Sequence, residues 1–174
     1  NGQIYRGANG CAGEWLFDVS AEDPQPGVIE AYKSGVWSMD MGIALRAQAM
    51  QKEHAGSKIY EIAKGDLKKI TILTVVKAAE SQDAFAIELL KDAGRRLGRK
   101  AAFLTNLFNP DILIIGGGIE IGGPVLLDVL RETVKTVAVP EATENLRIIP
   151  SQLAQNGVPL GAAALVAQNY FISA

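Results

Sequence analysis

The chain has 174 residues, 48% of them hydrophobic, with 17 Lys and Arg against 19 Asp and Glu and a net charge of -2. That supports one domain with a real core, is too short for two full ones, and argues against disorder. No basic block is present to neutralise phosphates, and the single cysteine, Cys11, rules out a disulfide framework or a cysteine-rich zinc site.

The first stretch, "QIYRGANGCAGEWLFDVS" (3–20), reads as strand, glycine-rich loop, strand. It follows Asn-Gly, the commonest tight hairpin turn, with no strand before it, so the expectation is a piece cut from a longer protein. Within it, a glycine loop delivers one carboxylate, Glu14, directly ahead of Trp15, Leu16 and Phe17. A solvated turn residue explains that glutamate; so does a carboxylate that grips hydroxyl groups. "AEDPQPG" (21–27) is a loop by its prolines and acids.

From Val28 to about His54 the apolar residues Ile29, Tyr32, Val36, Met39, Ile43, Ala47 and Met50 recur at helical spacing. Gly35 and Gly42 predict a kink or two helices. His54, the only histidine, reads as a surface residue at the helix end, where its charge suits the helix dipole. "GSKIYEIAKGD" (56–66) is a connecting segment. "ITILTVVKAAE" (70–80) is ambiguous, β-branched at its start and helix-forming at its end.

Ser81 is a candidate cap for a long helix whose face carries Ala86, Leu90, Ala93, Leu97, Ala101, Leu104 and Phe108, stopped by Asn109-Pro110. "DILII" (111–115), apolar without alternation, reads as a strand covered on both faces. A helix with Pro124 in its first turn comes next, then a short strand in "NLRIIPSQL" (145–153). The chain closes on a helix whose small face, Gly161 to Ala164, permits close packing. The order helix, strand, helix, strand, helix after Ser81 predicts an α/β fold with parallel strands. The apolar runs are too short to span a bilayer, and no signal-peptide pattern is present.

The turn Gly116, Gly117, Gly118 joins a strand to a helix, where open α/β sheets bind ligands. Glycine lets a nucleotide lie against the backbone. The dinucleotide fingerprint fails, because its third glycine falls on Ile121, and no Gly-Lys-Ser/Thr comes after it as a phosphate loop requires. A tight turn with nothing bound accounts for the same glycines.

Four blocks in order, "YRGANGCAGE", "GVIEAYKSG", "NLFNPDILIIGGGI" and "IPSQLAQNGVPLGAAAL", resemble the C-terminal part of the ROK family, the repressors, open reading frames and sugar kinases. The resemblance covers nearly the whole chain. It implies an actin-like (ribonuclease H-like) ATPase fold, present as its C-terminal lobe or a fragment of it, with residues 1–174 as one domain. It also resolves "ITILTVVKAAE" towards helix, and implies that Glu14 and Glu30 contact sugar hydroxyls. An ionised carboxylate accepts two or more such bonds in a fixed orientation. A first-turn acid favoured by the helix dipole is the plainer role for Glu30.

Departures from the family pattern matter as much. The sugar- and zinc-binding histidine position is Phe17, and the zinc loop falls on Ala21, Asp23, Pro24, Gly27 and Val28. One aspartate does not replace four tetrahedral ligands, so no zinc is expected. Family members carry the catalytic aspartate, the phosphate loops and any DNA-binding headpiece upstream. The expectation is therefore a cytoplasmic, homodimeric sugar-sensing domain of a transcriptional regulator, without catalytic residues of its own. Its ligand would be a sugar or sugar phosphate, and DNA would be met only through a missing N-terminal domain. The alternative is the back half of a sugar kinase, in which ATP and Mg sit at Gly116–Gly118. A third is a degenerate module that binds no sugar and only oligomerises.

Overall fold

The computed structural model describes residues 4–13, 39–153, 156–168 and 170. Two compact units divide the chain, Asn1–Trp37 and Ser38–Ala174.

In the first unit, residues 4–7 carry no strand pairing, and Ile4 and Tyr5 are exposed, so the strand predicted there is not formed among the described residues. An extended segment becomes a strand only when a neighbour takes its hydrogen bonds. The glycine loop comes next, closed by the Ala12 amide donating to the Arg6 carbonyl at 3.2 Å, with Gly7, Gly10 and Gly13 at positive φ. Cys11 is an exposed thiol.

The second unit begins with α1, Met39–Ala49, which buries Ile43, Ala44 and Ala47. It ends before His54, which sits in the turn beyond and stacks on Phe85 with ring centroids 3.8 Å apart. The segment expected to be a mere connection contains α2, Lys58–Ile62, and a 3-10 turn, Leu67–Lys69. Their capping residues, Ser57 and Asp66, were the missed signal, since each side chain accepts a backbone N–H. The ambiguous stretch is helix α3, Ile72–Glu80, opened by a capping box in which Thr71 and Thr74 bond each other's backbone amides. That box satisfies two orphan donors and outweighs the β preference of Ile and Val.

The long helix α4 spans Ala84–Phe108. Its N-cap is Asp83 rather than Ser81, whose hydroxyl instead donates to the Lys77 carbonyl at the end of α3. Asp83 does double duty. One oxygen accepts the Ala86 amide of α4 at 2.8 Å and the Ser57 hydroxyl at 3.0 Å; the other accepts the Lys58 amide of α2 at 2.8 Å. Burial pushes this carboxyl up, but the hydrogen bonds from Ala86, Lys58, Ser57 and Phe85 together outweigh it and hold it below the usual range. Nearby, the buried Tyr60 hydroxyl donates to the Ala47 carbonyl at 2.7 Å, and burial, then the charge of Asp83, raise its pKa.

The buried face of α4 is Ala86, Leu89, Leu90, Gly94, Gly98, Ala101, Ala102 and Thr105. The predicted stripe drifts away from it at its C-terminal end, where Phe108 is exposed, because the contact is centred on glycines rather than on the largest side chains. The helix stops at Asn109-Pro110 as the sequence predicts, with Asn109 in the left-handed region at φ 44°.

Strand β1, Ile112–Ile115, pairs in parallel with β2, Arg147–Pro150, in the register Ile112 to Arg147 and Ile115 to Pro150. Between them run α5, Gly123–Val137, and the short α6, Pro140–Thr143, giving the predicted βαβ order. Among the described residues the strand is covered on one face only. Ile115 is buried at 6% exposure, whereas Ile114, on the other face, is 64% exposed. The described elements pack on one face only, and a continuous apolar run alone does not reveal which face that is. Along helix α7, Gly157–Ala167, a Cβ at Gly161 would meet nothing within 4 Å, so no described residue packs closely there.

The α4–α5 contact dominates this unit. A Cβ at Gly94 would lie 2.5 Å from the Leu126 carbonyl oxygen, and one at Gly98 would lie 2.6 Å from Thr133 Cβ and 2.9 Å from the Leu130 carbonyl oxygen. The two glycines let α5 lie almost backbone to backbone on α4, and Leu126, Leu130 and Val134 are buried around that contact. Each such side chain contributes about 1.5–3 kcal/mol on burial. Gly98→Ala gains about 1 kcal/mol of helix propensity but forces the helices apart at a cost of about 3 kcal/mol. A net loss near 2 kcal/mol is expected in urea unfolding; an unchanged or higher midpoint would show the close approach to be dispensable.

Asp83 gives a second prediction, with a sign. Its folded pKa is depressed, so its stabilisation is present above the ordinary carboxylate pKa and is lost as pH falls through the folded value. Asp83→Ala is expected to cost about 2 kcal/mol at pH 7 through its caps on two helices. The loss should shrink when melting is tracked down to pH 2, and a penalty independent of pH would contradict the carboxylate's role.

Candidate functional site

The site that the fold assembles lies at the carboxyl ends of the two parallel strands. β1 ends at Ile115, the chain turns through Gly116, Gly117 and Gly118, and a 3-10 turn, Ile119–Gly122, leads into α5. Gly117 and Gly118 stand at φ 81° and 92°, a region that side-chain-bearing residues adopt at a cost. Gly116 and Gly117 are exposed, so backbone faces outward without side-chain cover. A buried Ile119 and a hydrogen bond donated by the Ile121 amide to the Gly118 carbonyl at 3.2 Å anchor the far side of the turn.

Parallel pairing brings a second segment to this turn. The Ser151 amide donates to the Ile115 carbonyl at 2.7 Å, the last rung of the ladder, which sets Ser151 beside Gly116. On the underside, Arg131 of α5 donates from Nε and Nη2 to the Ile148 carbonyl, both at 3.1 Å, and from Nη1 to Asp128 at 2.8 Å. This clamp fixes α5 to β2 and therefore fixes the direction in which the turn leaves the sheet.

Of the residues singled out in the sequence, Gly116, Gly117 and Gly118 form one exposed turn. Glu14, Glu30, Phe17 and the positions of the zinc loop, Ala21, Asp23, Pro24, Gly27 and Val28, lie outside the described residues. Two residues at the turn were not picked out in the sequence. Ser151 is legible only through the strand pairing. Glu120, in the 3-10 turn, has a buried oxygen, Oε2, without a hydrogen-bond partner among the described residues. Leaving a buried carboxylate oxygen unpaired costs stability. No group of three His, Cys, Asp or Glu side chains among the described residues is arranged to hold a metal ion, and no described helix is long and apolar enough to cross a membrane.

A second surface feature is a shallow groove between α1 and α4, lined by Arg46, Met50, His54, Phe85, Glu88 and Asp92 among others. Its polar groups are committed: Asp92 accepts from Arg46 and, at 2.9 Å, from Arg96, while Glu88 accepts from Arg95.

At Gly116 and Gly117 the turn exposes backbone that carries no side chain. Because Cβ at Gly117 would meet no atom within 4 Å, its constraint is conformational rather than steric. Gly117→Val should therefore cost about 1–2 kcal/mol while Gly117→Asn, which tolerates the left-handed region, costs markedly less. Equal unfolding midpoints for the two variants would remove the backbone argument.

The model of the ROK family matches residues 1–169. The DNA-binding transcriptional dual regulator NagC of Escherichia coli is 32% identical over 166 residues, which are 95% of this chain and 39% of that protein. A glucokinase of Halalkalibacterium halodurans is 30% identical over 178 residues, covering 97% of this chain and 51% of the enzyme. The crystal structure of a ROK family glucokinase from Streptomyces griseus, in complex with glucose and AMPPNP, superposes with a TM-score of 0.77 at 23% identity. It covers 94% of this chain and 54% of that one, and the likeness establishes the actin-like ATPase fold. The chain thus spans about half or less of the length of these relatives.

Proposed function

We propose that this chain, which belongs to the ROK family, is the sugar-sensing and dimerising domain of a transcriptional regulator. The carrying observation is similarity to the NagC regulator along 95% of the chain. The replacement of the family's zinc- and sugar-binding histidine by Phe17, and of its cysteines by Ala21, Asp23 and Val28, supports a role that does not depend on phosphoryl transfer. A second curated relative is a xylose repressor, 22% identical over 171 residues.

In this proposal Glu14 and Glu30 accept hydrogen bonds from the hydroxyls of a sugar or sugar phosphate. The sugar binds one arrangement of the intact protein better than another, and the difference in affinity moves the population between states of different DNA affinity. DNA contact belongs to a separate headpiece, the chain works as a homodimer in the cytoplasm, and no zinc is held. Gly116, Gly117 and Gly118 take an adenine nucleotide only under a kinase reading of the chain.

The glucokinase match over 97% of the chain favours a second proposal, a sugar kinase. An aspartate outside this chain would take the proton of the sugar hydroxyl, Mg·ATP would lie at the glycine turn, and Glu14 and Glu30 would position the acceptor.

Calorimetric titration of the intact protein with N-acetylglucosamine, glucose and xylose tests the sugar role. Saturable binding of at least one sugar is expected, weakened tenfold or more by Glu14→Ala, about the contribution of a charge-assisted hydrogen bond. Affinity untouched by that substitution would sink the assignment of this loop. Turnover of the same sugar with ATP would move the function to kinase, and stoichiometric zinc by elemental analysis would overturn the zinc-free assignment.

A further inference from the structure

We infer that the carboxyl end of α4 and the segment joining α5 to α6 form the face on which two copies of this chain pair, about a two-fold axis that sets Arg99 of each copy against Glu141 of the other. The inference rests on the proposed homodimer and gives it a surface.

Two segments make the face, and a side chain ties them together. Phe103 and Leu107 lie one turn apart on α4, on the side that also carries Asn106. Asn106 Oδ1 accepts the Val139 amide at 2.8 Å, which holds the exit from α5 against α4. Ala138 is extended, at φ -79° and ψ 161°, and is buried at 6% exposure. The neighbours of an extended residue point the opposite way. Val137 and Val139 accordingly stand out at 52% and 50% exposure, beside Phe103 at 55% and Leu107 at 59%.

No residue from Ala101 to Phe108 or from Thr136 to Pro140 is charged. A lone molecule seldom leaves so large an apolar patch to water. Covering the exposed halves of these four side chains removes about 400 Å² per copy from water, roughly half of one side of a standard interface, in which a polar rim supplies the rest.

Charge selects a second copy as the occupant. Arg99 lies on the same stripe of α4, one turn before Phe103 and two turns before Asn106, about 10 Å up the helix. Glu141 stands at the other end, just beyond Val139. Both are exposed, and neither has an ion-pair partner among the described residues. Lys100 next to Arg99 and Glu144 at the end of α6 repeat the polarity. An apolar centre with a cation at one end and an anion at the other is complementary to itself when reversed, and two-fold pairing performs that reversal.

The face is also clear of the glycine turn. Gly94 meets Leu126 and Gly98 meets Leu130, so α4 and α5 run side by side in one direction, and they end where β1 and β2 are about to begin. Pairing therefore takes place at the amino ends of the strands and leaves Gly116–Gly118, at their carboxyl ends, uncovered.

Sedimentation equilibrium of the intact protein tests this, comparing the unaltered chain with Leu107→Glu, Arg99→Glu, Glu141→Arg and the double charge swap. The unaltered protein should be a dimer. Leu107→Glu should raise its dissociation constant about a hundredfold or more, because it sets two carboxylates in a dry apolar centre. Each single charge reversal should weaken the dimer about tenfold, and the double swap should restore it to within about twofold. Only two-fold pairing of this face with itself gives that rescue, and the three charge variants, all at exposed positions, carry the test if Leu107→Glu fails to fold. A dimer undiminished by Leu107→Glu and by both reversals would overturn the inference while the homodimer stands on another face. Single reversals that weaken the dimer without rescue in the double swap would overturn the two-fold arrangement. A monomeric unaltered protein would remove the homodimer proposal itself, and the inference with it.

Discussion

Two glycines one helical turn apart, Gly94 and Gly98, set the distance between α4 and α5, and the remaining arrangement of the second unit depends on that distance. With no Cβ on α4 at these positions, the Leu126 and Leu130 carbonyls and the Thr133 side chain of α5 come to within contact of bare backbone. Helices that close leave no room for water, so Leu126, Leu130 and Val134 lose their hydration entirely. α5 is also the crossover between β1 and β2. Its placement against α4 therefore fixes where β2 returns, and the Arg131 clamp on the Ile148 carbonyl completes the constraint.

The turn at Gly116–Gly118 inherits its shape from this arrangement. A strand that must pass into a helix lying flat on its neighbour has little length in which to reverse. Two consecutive residues at positive φ accomplish that, and only glycine does so without strain. The turn thereby presents an exposed backbone surface, flanked by Ser151 from the next strand and by Glu120 from the adjoining 3-10 turn. At the opposite end of α4, Asp83 plays a comparable part with charge, holding the starts of α2 and α4 through one carboxylate.

Much of the second unit was legible in the sequence because its signals are local. Pro124, Asn109-Pro110 and the continuous apolar run 112–115 each mark an element by local residue type. Errors arose where several residues offered the same chemistry. Ser81 and Asp83 are both acceptable caps, and only the approach of α2 selects the aspartate, since its second oxygen is needed by Lys58. The α4 stripe drifts only at its C-terminal end, for a related reason: periodicity weights large side chains, whereas the closest contact is made where side chains are absent.

The sequence alone determined the α/β order, the parallel strands, the glycine turn after β1 and, through four ordered blocks, the family. These come from backbone preferences and from motifs a few residues long, which need no partner to be read. Tertiary structure alone decided which face of β1 is covered, where α4 and α5 touch, and that Ser151 stands beside Gly116. Those are relations between segments far apart in the chain. They are fixed by strand register and by interhelical distance, quantities that no local pattern encodes.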